Sequence, residues 1–318
     1  MVVLATWLGA AMAAAGQPSE SFSVVLLPDT QFYSEKFPET YVAQTRWIAR
    51  HAAAENIRFV IHLGDIVQVA AERPQWENAN RAQSILDGRV PYSMLPGNHD
   101  GSPGATTLYN EYFAPRRFAC RPWYGGHLGK TNDANYCFFY AGGMAMIVIS
   151  LGNNPSDEML AWAGTIAALH PNHRVIVATH MYMGAKQRSD VGERIWQQLV
   201  RRHANIFMVV CGHVGAAAHQ TSVNDAGGTV HEILCDYQNK PNGGNGWLEV
   251  LRFAPSENKI RFDAYSPLLD KHDPRLASVD AIDYDMSPRD VKGIGPSPRR
   301  QPAGKPVRRL LRLMKAGR

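Results

Sequence analysis

The chain has 318 residues, 45% of them hydrophobic, which is enough for one large α/β domain or two smaller ones and argues against a disordered protein. Its net charge of +5 comes from the C-terminal end, where ten Lys or Arg residues from Arg289 onward face only Asp290, so the rest of the chain carries 5 − 9 = −4. This balance gives no support to a nucleic-acid-binding surface on the folded body.

The N-terminal segment, residues 1–15, is apolar but too short to span a bilayer. It ends in AMAAAG, where small residues have the spacing that signal peptidase prefers. We therefore predict a signal peptide and a secreted or periplasmic protein. Because the segment lacks a basic start, a disordered N-terminus or one that leads into the first strand is the alternative.

From Phe22 onward, apolar runs typical of strands alternate with segments of helical period. Strands are predicted, in chain order, within FSVVLLPDTQ, IRFVIHLGD, VPYSMLPGNHD, YCFFYAGGMAMIVISL (two antiparallel strands around Gly142 and Gly143), HRVIVATH, NIFMVVCGH, GTVHEILCDY, GWLEVLRF and KIRFDAYSP. Helices are predicted within ETYVAQTRWIARHAAAEN, RPQWENANRAQSILDGR, SDEMLAWAGTIAALH (capped by Ser156 or Asp157) and DVGERIWQQLVRRHA. This β-α-β order favours an α/β fold centred on one parallel sheet.

Five of these strands end in residues that commonly bind metals. The endings are Asp29, Asp65, Asn98 with His99, His180, and His213. A single ending of this kind, such as NHD after a Pro-Gly pair, is usually a structural turn. Because the carboxyl ends of strands in an open α/β sheet converge on the ligand-binding crevice, five endings together predict a divalent-metal site.

The ordered blocks PDTQ, LGD, GNHD, ATH and CGHVG resemble those of the calcineurin-like metallophosphoesterase family. The DTQ block, together with DYQNKPNGGNGWLEVLRF, is similar to a secreted bacterial branch of that family. The resemblance implies a four-layer α/β/β/α sandwich of two mixed sheets, which we place at residues 22–286. It also implies two divalent metal ions and the hydrolysis of a small phosphoester, either a monoester or a diester.

The resemblance assigns the metal ligands by position. Asp65 bridges both ions, Asn98, His180 and His213 complete one site, and Asp29 and Gln31 serve the other. Where the family usually has histidines in that other site, this chain has Gln31 and Gly215, so we predict that the second ion is held weakly. An oxygen-rich shell suits Mn, Mg, Ca or Fe better than Zn. His219 is a candidate replacement for the missing ligand.

The resemblance also implies a mechanism in which Asp65 and His99 are the catalytic residues. The metal ions lower the pKa of a water towards ~7, and the hydroxide attacks phosphorus while His99 protonates the leaving oxygen. In the protein-phosphatase branch a carboxylate orients this histidine, but the corresponding residue here is Gln68. Asp100 either replaces that carboxylate or caps the next turn.

The insert RPWYGGHLGKTNDANY is long for a connection between core strands. Its residues His127, Asn132 and Asn135 are candidate substrate-binding residues, and ordinary turn chemistry is the alternative.

The four cysteines do not have the spacing of a metal-binding knuckle. Cys120 and Cys137 bracket the insert, and in an exported chain we predict a disulfide between them. Cys211 and Cys235 lie in runs predicted to be neighbouring strands, where they either pair or are buried as free thiols.

Residues 287–318 form a basic tail that reads as a disordered, solvated segment. Its final stretch, VRRLLRLMKAGR, places apolar residues at helical spacing opposite arginines, so weak contact with a membrane surface is the alternative.

A non-catalytic binding or scaffold protein with a degraded second metal site is the alternative to a hydrolase. A scaffold has no use for a histidine beside a metal ligand, so His99 favours the enzyme. The sequence predicts neither the substrate nor the oligomeric state.

Overall fold

The computed structural model describes residues 20–101 and 106–289. The predicted signal peptide and nearly all of the basic tail, including its candidate amphipathic helix, lie outside the described residues. Within them, no helix combines the length and the apolar character that crossing a bilayer requires.

Strands and helices alternate through most of the domain. The strands are β1 Phe22–Leu27, β2 Ile57–His62, β3 Tyr92–Ser93, β4 Tyr124–His127, β5 Ala134–Ala141, β6 Met144–Leu151, β7 Arg174–Thr179, β8 Ile206–Cys211, β9 Ala217–Val223, β10 Thr229–Cys235, β11 Leu248–Ala254, β12 Lys259–Ser266, β13 Lys271–His272 and β14 Ala281–Asp283. The α-helices are α1 Gln31–Lys36, α2 Pro38–His51, α3 Arg73–Gln83, α4 Thr107–Tyr112, α5 Pro115–Phe118, α6 Asp157–Leu169, α7 Asp190–Gln198 and α8 Pro241–Gly244, and short 3₁₀ turns occur at Ser84–Leu86, Val200–Arg202, Pro255–Glu257 and Pro274–Leu276.

The strands form two mixed sheets. One sheet has the order β13-β12-β11-β1-β2-β3, with β14 also paired to β12, and the other has the order β4-β5-β6-β7-β8-β10-β9. β1, β2 and β3 run parallel in the first sheet, and β6, β7, β8 and β10 run parallel in the second. The prediction of a single parallel sheet is therefore wrong, because the five polar strand endings are divided between two sheets.

The two sheets pack face to face, and helices cover their outer faces. Alternate residues of β1 show the division: Val24 and Leu26 face the core between the sheets, whereas Val25 and Leu27 pack against the helical layer of α2 and α3. Helices α6 and α7 cover the other sheet in the same way. These layers confirm the predicted α/β/β/α sandwich.

The helices predicted from apolar residues at helical spacing are confirmed, as α2, α3, α6 and α7. Ser156 is the cap of α6, since its side chain accepts a hydrogen bond from the backbone N–H of Met159. The apolar pattern does not predict short elements such as α1 and β4, because their few residues carry too little periodicity.

All four cysteines are free thiols, which contradicts the predicted disulfide between Cys120 and Cys137. Cys137 lies in the core between the two sheets, whereas Cys120 is exposed on the surface. Cys211 and Cys235 are on adjacent strands, but their side chains belong to cores on opposite faces of the sheet. Neither pair can form a bridge without rearranging the fold.

We expect one fast-reacting thiol in the folded chain. Burial raises the pKa of Cys137 and Cys235 well above the usual range and that of Cys211 to about 12, so these three thiols lack both access and thiolate character. Titration with a thiol-specific chromogenic reagent should count one thiol before unfolding and four after. In the Cys120→Ser variant the fast phase should vanish. If the reagent counts no thiol in the folded chain and only two after unfolding, the predicted disulfide between Cys120 and Cys137 is supported instead.

Candidate metal centre

The loops that follow β1, β2, β3, β7 and β8 meet at one edge of the sandwich. The parallel strands of both sheets end there, so Asp29, Asp65 and Asn98 arrive from one sheet and His180 and His213 from the other. This brings together side chains that are up to 184 residues apart in sequence, since the His213 backbone N–H donates to the carboxylate of Asp29 at 3.1 Å.

Three side chains surround one ring nitrogen of His180, so four residues meet at this point. Its Nε2 lies 3.2 Å from Asp65 Oδ2, 3.0 Å from Asn98 Oδ1 and 3.2 Å from His213 Nδ1. Asp65, His180 and His213 each place a ligand atom within 4.8 Å of the others, a group that can hold a metal ion. The side chains predicted for the first metal site are thus brought together.

The other ring nitrogen of His180 faces the backbone carbonyl of Leu63 at 2.9 Å. Because a carbonyl oxygen only accepts hydrogen bonds, Nδ1 carries the hydrogen. Nε2 is therefore the nitrogen that faces the other side chains of the cluster. Burial alone would lower the pKa of His180, but the carboxylates of Asp65 and Asp29 outweigh it and raise the pKa to about 10. Positive charge is therefore favoured at the point where the four side chains meet.

A divalent cation fits this donor set. If His180 is neutral, lone pairs of its Nε2, of the Asp65 carboxylate and of the Asn98 carbonyl face one another, and a cation between them removes their repulsion. Among the described residues, the carboxylates of Asp29 and Asp65 form no ion pair with Lys or Arg. A metal ion would supply a counter-charge to these carboxylates.

The backbone is strained at two of the four converging residues. Asp65 has φ +47° and His213 has φ +75°, a left-handed conformation that costs a non-glycine residue about 1–3 kcal/mol. Two glycines also make room for carboxylates. A Cβ on Gly97 would lie 2.1 Å from Asp65 Oδ1, and one on Gly212 would lie 2.2 Å from Asp29 Oδ1.

His99 is held beside the cluster by backbone groups. Its N–H donates to Asp65 Oδ1 at 2.9 Å, and its ring Nδ1 lies 2.8 Å from the backbone carbonyl of Gln68. Position 68 thus orients the ring through its main chain. Asp100 does not, because its carboxylate accepts from the N–H groups of Ile66, Val67 and Gly97 and so caps the loop.

His62 joins the loops that carry Asp29 and Asp65. Its Nδ1 accepts from the Gly64 N–H at 3.2 Å, so Nε2 carries the hydrogen and lies 3.0 Å from the Thr30 hydroxyl oxygen. Burial, and next the charge of His180, lowers its pKa to about 3, which keeps the ring neutral.

The two positions without the family's histidines differ in their surroundings. Gln31 begins α1 and is 2% exposed, and its Oε1 has no hydrogen-bond partner among the described residues. The space beside Gly215 is filled, since a Cβ there would lie 2.0 Å from Asn239 Nδ2. His219 is not a replacement ligand, because it lies on β9 with its Nε2 3.2 Å from the Nδ1 of His231.

The structure corrects the prediction of substrate-binding residues in the insert. Asn135 is buried and donates to the backbone carbonyls of Met94 and Asn132. Asn132 is buried and accepts from the Tyr124 hydroxyl. The Asn135 amide therefore fastens the insert to the core, and the Asn132 amide joins two parts of the insert. His127 is half-buried on β4, stacked against Tyr124, and its predicted role remains a prediction.

Two further residues lie at this edge that the sequence patterns did not predict. Asp236 directly follows β10, and Gln238 donates from Nε2 to the carboxylates of both Asp236, at 2.8 Å, and Asp29, at 3.4 Å. The run GTVHEILCDY carries the same pattern as the five recognised endings, an apolar strand followed by a residue of a type that commonly binds metals. Applying that criterion to a sixth strand would have found Asp236.

A model of the calcineurin-like phosphoesterase family matches residues 22–216, more than half of the chain. The "Uncharacterized protein YvnB" of Bacillus subtilis (strain 168) is 35% identical over 258 residues, which are 78% of this chain and 20% of that protein. The chain therefore spans about a fifth of the length of this curated relative.

Two solved structures share the fold. A purple acid phosphatase, PPD1 from yellow lupin (Lupinus luteus) seeds, has a TM-score of 0.55 at 12% identity over 84% of this chain and 55% of its own. GAP50, described as the anchor in the inner membrane complex of Plasmodium, has a TM-score of 0.51 at 14% identity over 85% of this chain and 90% of its own. At these identities the likeness establishes the fold alone.

Replacing Gly97 with Ala should weaken metal binding. The new Cβ would overlap Asp65 Oδ1 and, at 2.3 Å, the Asp65 backbone nitrogen, so the carboxylate must move away from His180. We expect at least a tenfold loss of Mn²⁺ or Zn²⁺ affinity in calorimetric titration of the chelator-treated protein. Gly184→Ala is the matched control, because its Cβ would meet nothing closer than 4.0 Å. Unchanged affinity in Gly97→Ala would place the ion elsewhere.

Proposed function

The chain belongs to the calcineurin-like phosphoesterase family, and on that premise we propose that it is a metal-dependent hydrolase of phosphoester bonds. The observation that carries the proposal is the convergence of Asp65, Asn98 and His213 on Nε2 of His180, with His99 fixed beside them. Family membership alone supports a phosphoester hydrolase in general. The arrangement of these residues supports two separate roles, metal binding by the residues that meet at His180 and proton transfer by His99.

When bound, divalent ions at this centre supply Lewis acidity: they offset the charge on phosphate oxygens and bring the pKa of a coordinated water towards ~7. His180 and Asp65 would hold the ions through a nitrogen and a carboxylate that are both buried. Asn98 is exposed, and His99 and His213 are half-buried, so a substrate can reach this side of the centre.

His99 is the general acid in this proposal. The Gln68 carbonyl holds its Nδ1 hydrogen, which leaves Nε2 as the atom that gives a proton to the leaving oxygen. The same carbonyl fixes the direction of the ring. This chain thus orients the histidine through its main chain, whereas the protein-phosphatase branch uses a carboxylate.

A non-catalytic role on the same fold is the second candidate. Gln31 and Gly215 remove the two histidines of the second site, and one structural neighbour, GAP50, is described as an anchor. The two candidates predict opposite results in a simple assay.

The hydrolase should turn over small phosphoesters only with metal. We expect the chain to cleave a chromogenic phosphomonoester, a phosphodiester, or both in the presence of Mn²⁺, to lose the activity on chelation, and to regain it when Mn²⁺ is returned. Comparing initial rates on the two esters defines the substrate class. Absence of turnover on either ester, in protein that binds the metal, would favour the scaffold.

Replacing His99 with Ala should cut turnover by ~10²–10⁴, the usual contribution of a general acid, while metal content stays constant. The loss should shrink for nitrophenyl esters, whose leaving group needs no proton. Gln68→Ala keeps the carbonyl that orients His99, so we expect less than about a threefold change. Equal losses for good and poor leaving groups would remove His99 from proton transfer. If turnover falls as far in Gln68→Ala as in His99→Ala, the side chain of Gln68, and not its backbone carbonyl, orients His99.

A further inference from the structure

A cavity of about 150 Å³ lies beside the metal centre, and none of the residues that meet at His180 lines it. Its walls come from residues 215–217, from the end of β10 with the turn that follows it, and from the 3₁₀ turn Pro274–Leu276. Gly215 is two residues after His213, and two residues of extended chain span no more than about 7 Å. The cavity therefore adjoins the metal centre as a separate space.

Gln238 fixes this cavity relative to the metal centre. Its side-chain Nε2 donates to Oδ2 of Asp236, which lines the cavity, at 2.8 Å, and to the backbone carbonyl of His213 at 3.2 Å. Its backbone N–H donates to Oδ1 of Asp236 at 2.8 Å. The backbone N–H of Asp236 donates in turn to the carbonyl of Ala216 at 2.9 Å, which joins two walls of the cavity. Both oxygens of the Asp236 carboxylate are therefore already engaged by Gln238.

Lys240 brings a positive charge to the cavity. Its backbone N–H donates to the carbonyl of Tyr237 at 2.8 Å, so a turn carries the chain back towards the end of β10. Lys240 is exposed and lines the cavity, and within the part of the chain that the structure describes it forms no ion pair with a carboxylate, that of Asp236 included. Its ammonium group is therefore available to an anionic group of a ligand.

Arg275 and Asn239 add N–H donors to the cavity wall. Asp273 holds the guanidinium group of Arg275 through Nε at 2.8 Å and Nη2 at 2.7 Å, which leaves Nη1 without a hydrogen-bond partner among the described residues. The amide nitrogen of Asn239 lies over Gly215, since a Cβ there would be 2.0 Å from it. The side-chain donors of the wall thus outnumber its one carboxylate, whose oxygens are engaged, and this balance suits an anion.

We propose that the cavity binds a second anionic group of the substrate, and that the chain therefore acts on small phosphoesters that carry a further phosphate or carboxylate. The inference rests on the proposed function, in which the ester phosphate lies at the metal centre. Lys240, Arg275 and Asn239 are then binding residues for the other group. At roughly 30 Å³ for each water molecule, the cavity holds about five waters, a space that suits one phosphate or carboxylate group.

Ligands that cannot be hydrolysed test the cavity independently of turnover. Propane-1,3-bisphosphonate differs from propylphosphonate in its second anionic group, so in calorimetric titration of the Mn²⁺-loaded chain we expect it to bind about tenfold more tightly, the usual effect of a hydrogen bond to a charged group. Lys240→Gln should remove most of this difference and leave propylphosphonate binding unchanged. Lys186→Gln is the matched control, because Lys186 is exposed and has no described carboxylate partner but lies outside the cavity. Equal affinities for the two ligands, or a difference that persists in Lys240→Gln, would overturn the proposal.

Turnover then identifies the substrate class. We would compare kcat/KM for propyl phosphate, propane-1,3-diol bisphosphate and the phosphate ester of 3-hydroxypropanoate at constant free Mn²⁺, by the release of phosphate. An ester with a second anion should be preferred about tenfold, and Lys240→Gln should remove the preference through KM; whichever of the two is better shows whether the second group is a phosphate or a carboxylate. Equal kcat/KM for all three esters would overturn the assignment of the cavity and leave the hydrolase proposal intact. If no ester is cleaved but the bisphosphonate still binds through Lys240, the hydrolase proposal fails and the anion site stands.

Discussion

The metal centre depends on one hydrogen bond that crosses between the sheets, from Nδ1 of His180 to the backbone carbonyl of Leu63 at 2.9 Å. His180 follows β7 and Leu63 follows β2, so the bond joins the ends of strands from different sheets. It fixes the tautomer and the direction of the ring, and thereby presents Nε2 to Asp65, Asn98 and His213. The core between the sheets sets the spacing on which this bond depends, so packing far from the site controls the distances within it.

The loops around this bond are strained, and nearby polar groups hold them. Asp65 and His213 adopt left-handed backbone conformations, which persist only where the surroundings over-determine them. Asp100 supplies that restraint for the Asp65 loop by accepting three backbone N–H groups, and the carboxylate of Asp29 does so for His213. The acidic residues therefore have a structural role in addition to any part they take in binding an ion.

The sequence predicted the elements whose pattern is strong and local. The long strands and the helices α2, α3, α6 and α7 are confirmed because apolar periodicity determines them. The apolar pattern did not predict that the strands divide between two sheets, because a strand buried on both faces has the same pattern in one sheet as in two. Only the family resemblance implied the sandwich. The side chains gathered at the edge were predictable from their place after strands. The role of the Gln68 carbonyl was not, because a backbone group leaves no trace in the sequence, and the predicted disulfide failed because spacing cannot say which way Cys137 faces.

The contact between Gly215 and Asn239 constrains how this chain can change over time. A side chain at position 215 requires that Asn239 first give up its place, since its amide nitrogen would lie 2.0 Å from the new Cβ. Because residue 239 is exposed, that amide can turn towards solvent. The conformations open to Asn239, more than its identity, therefore decide whether a mutation can place histidine at 215.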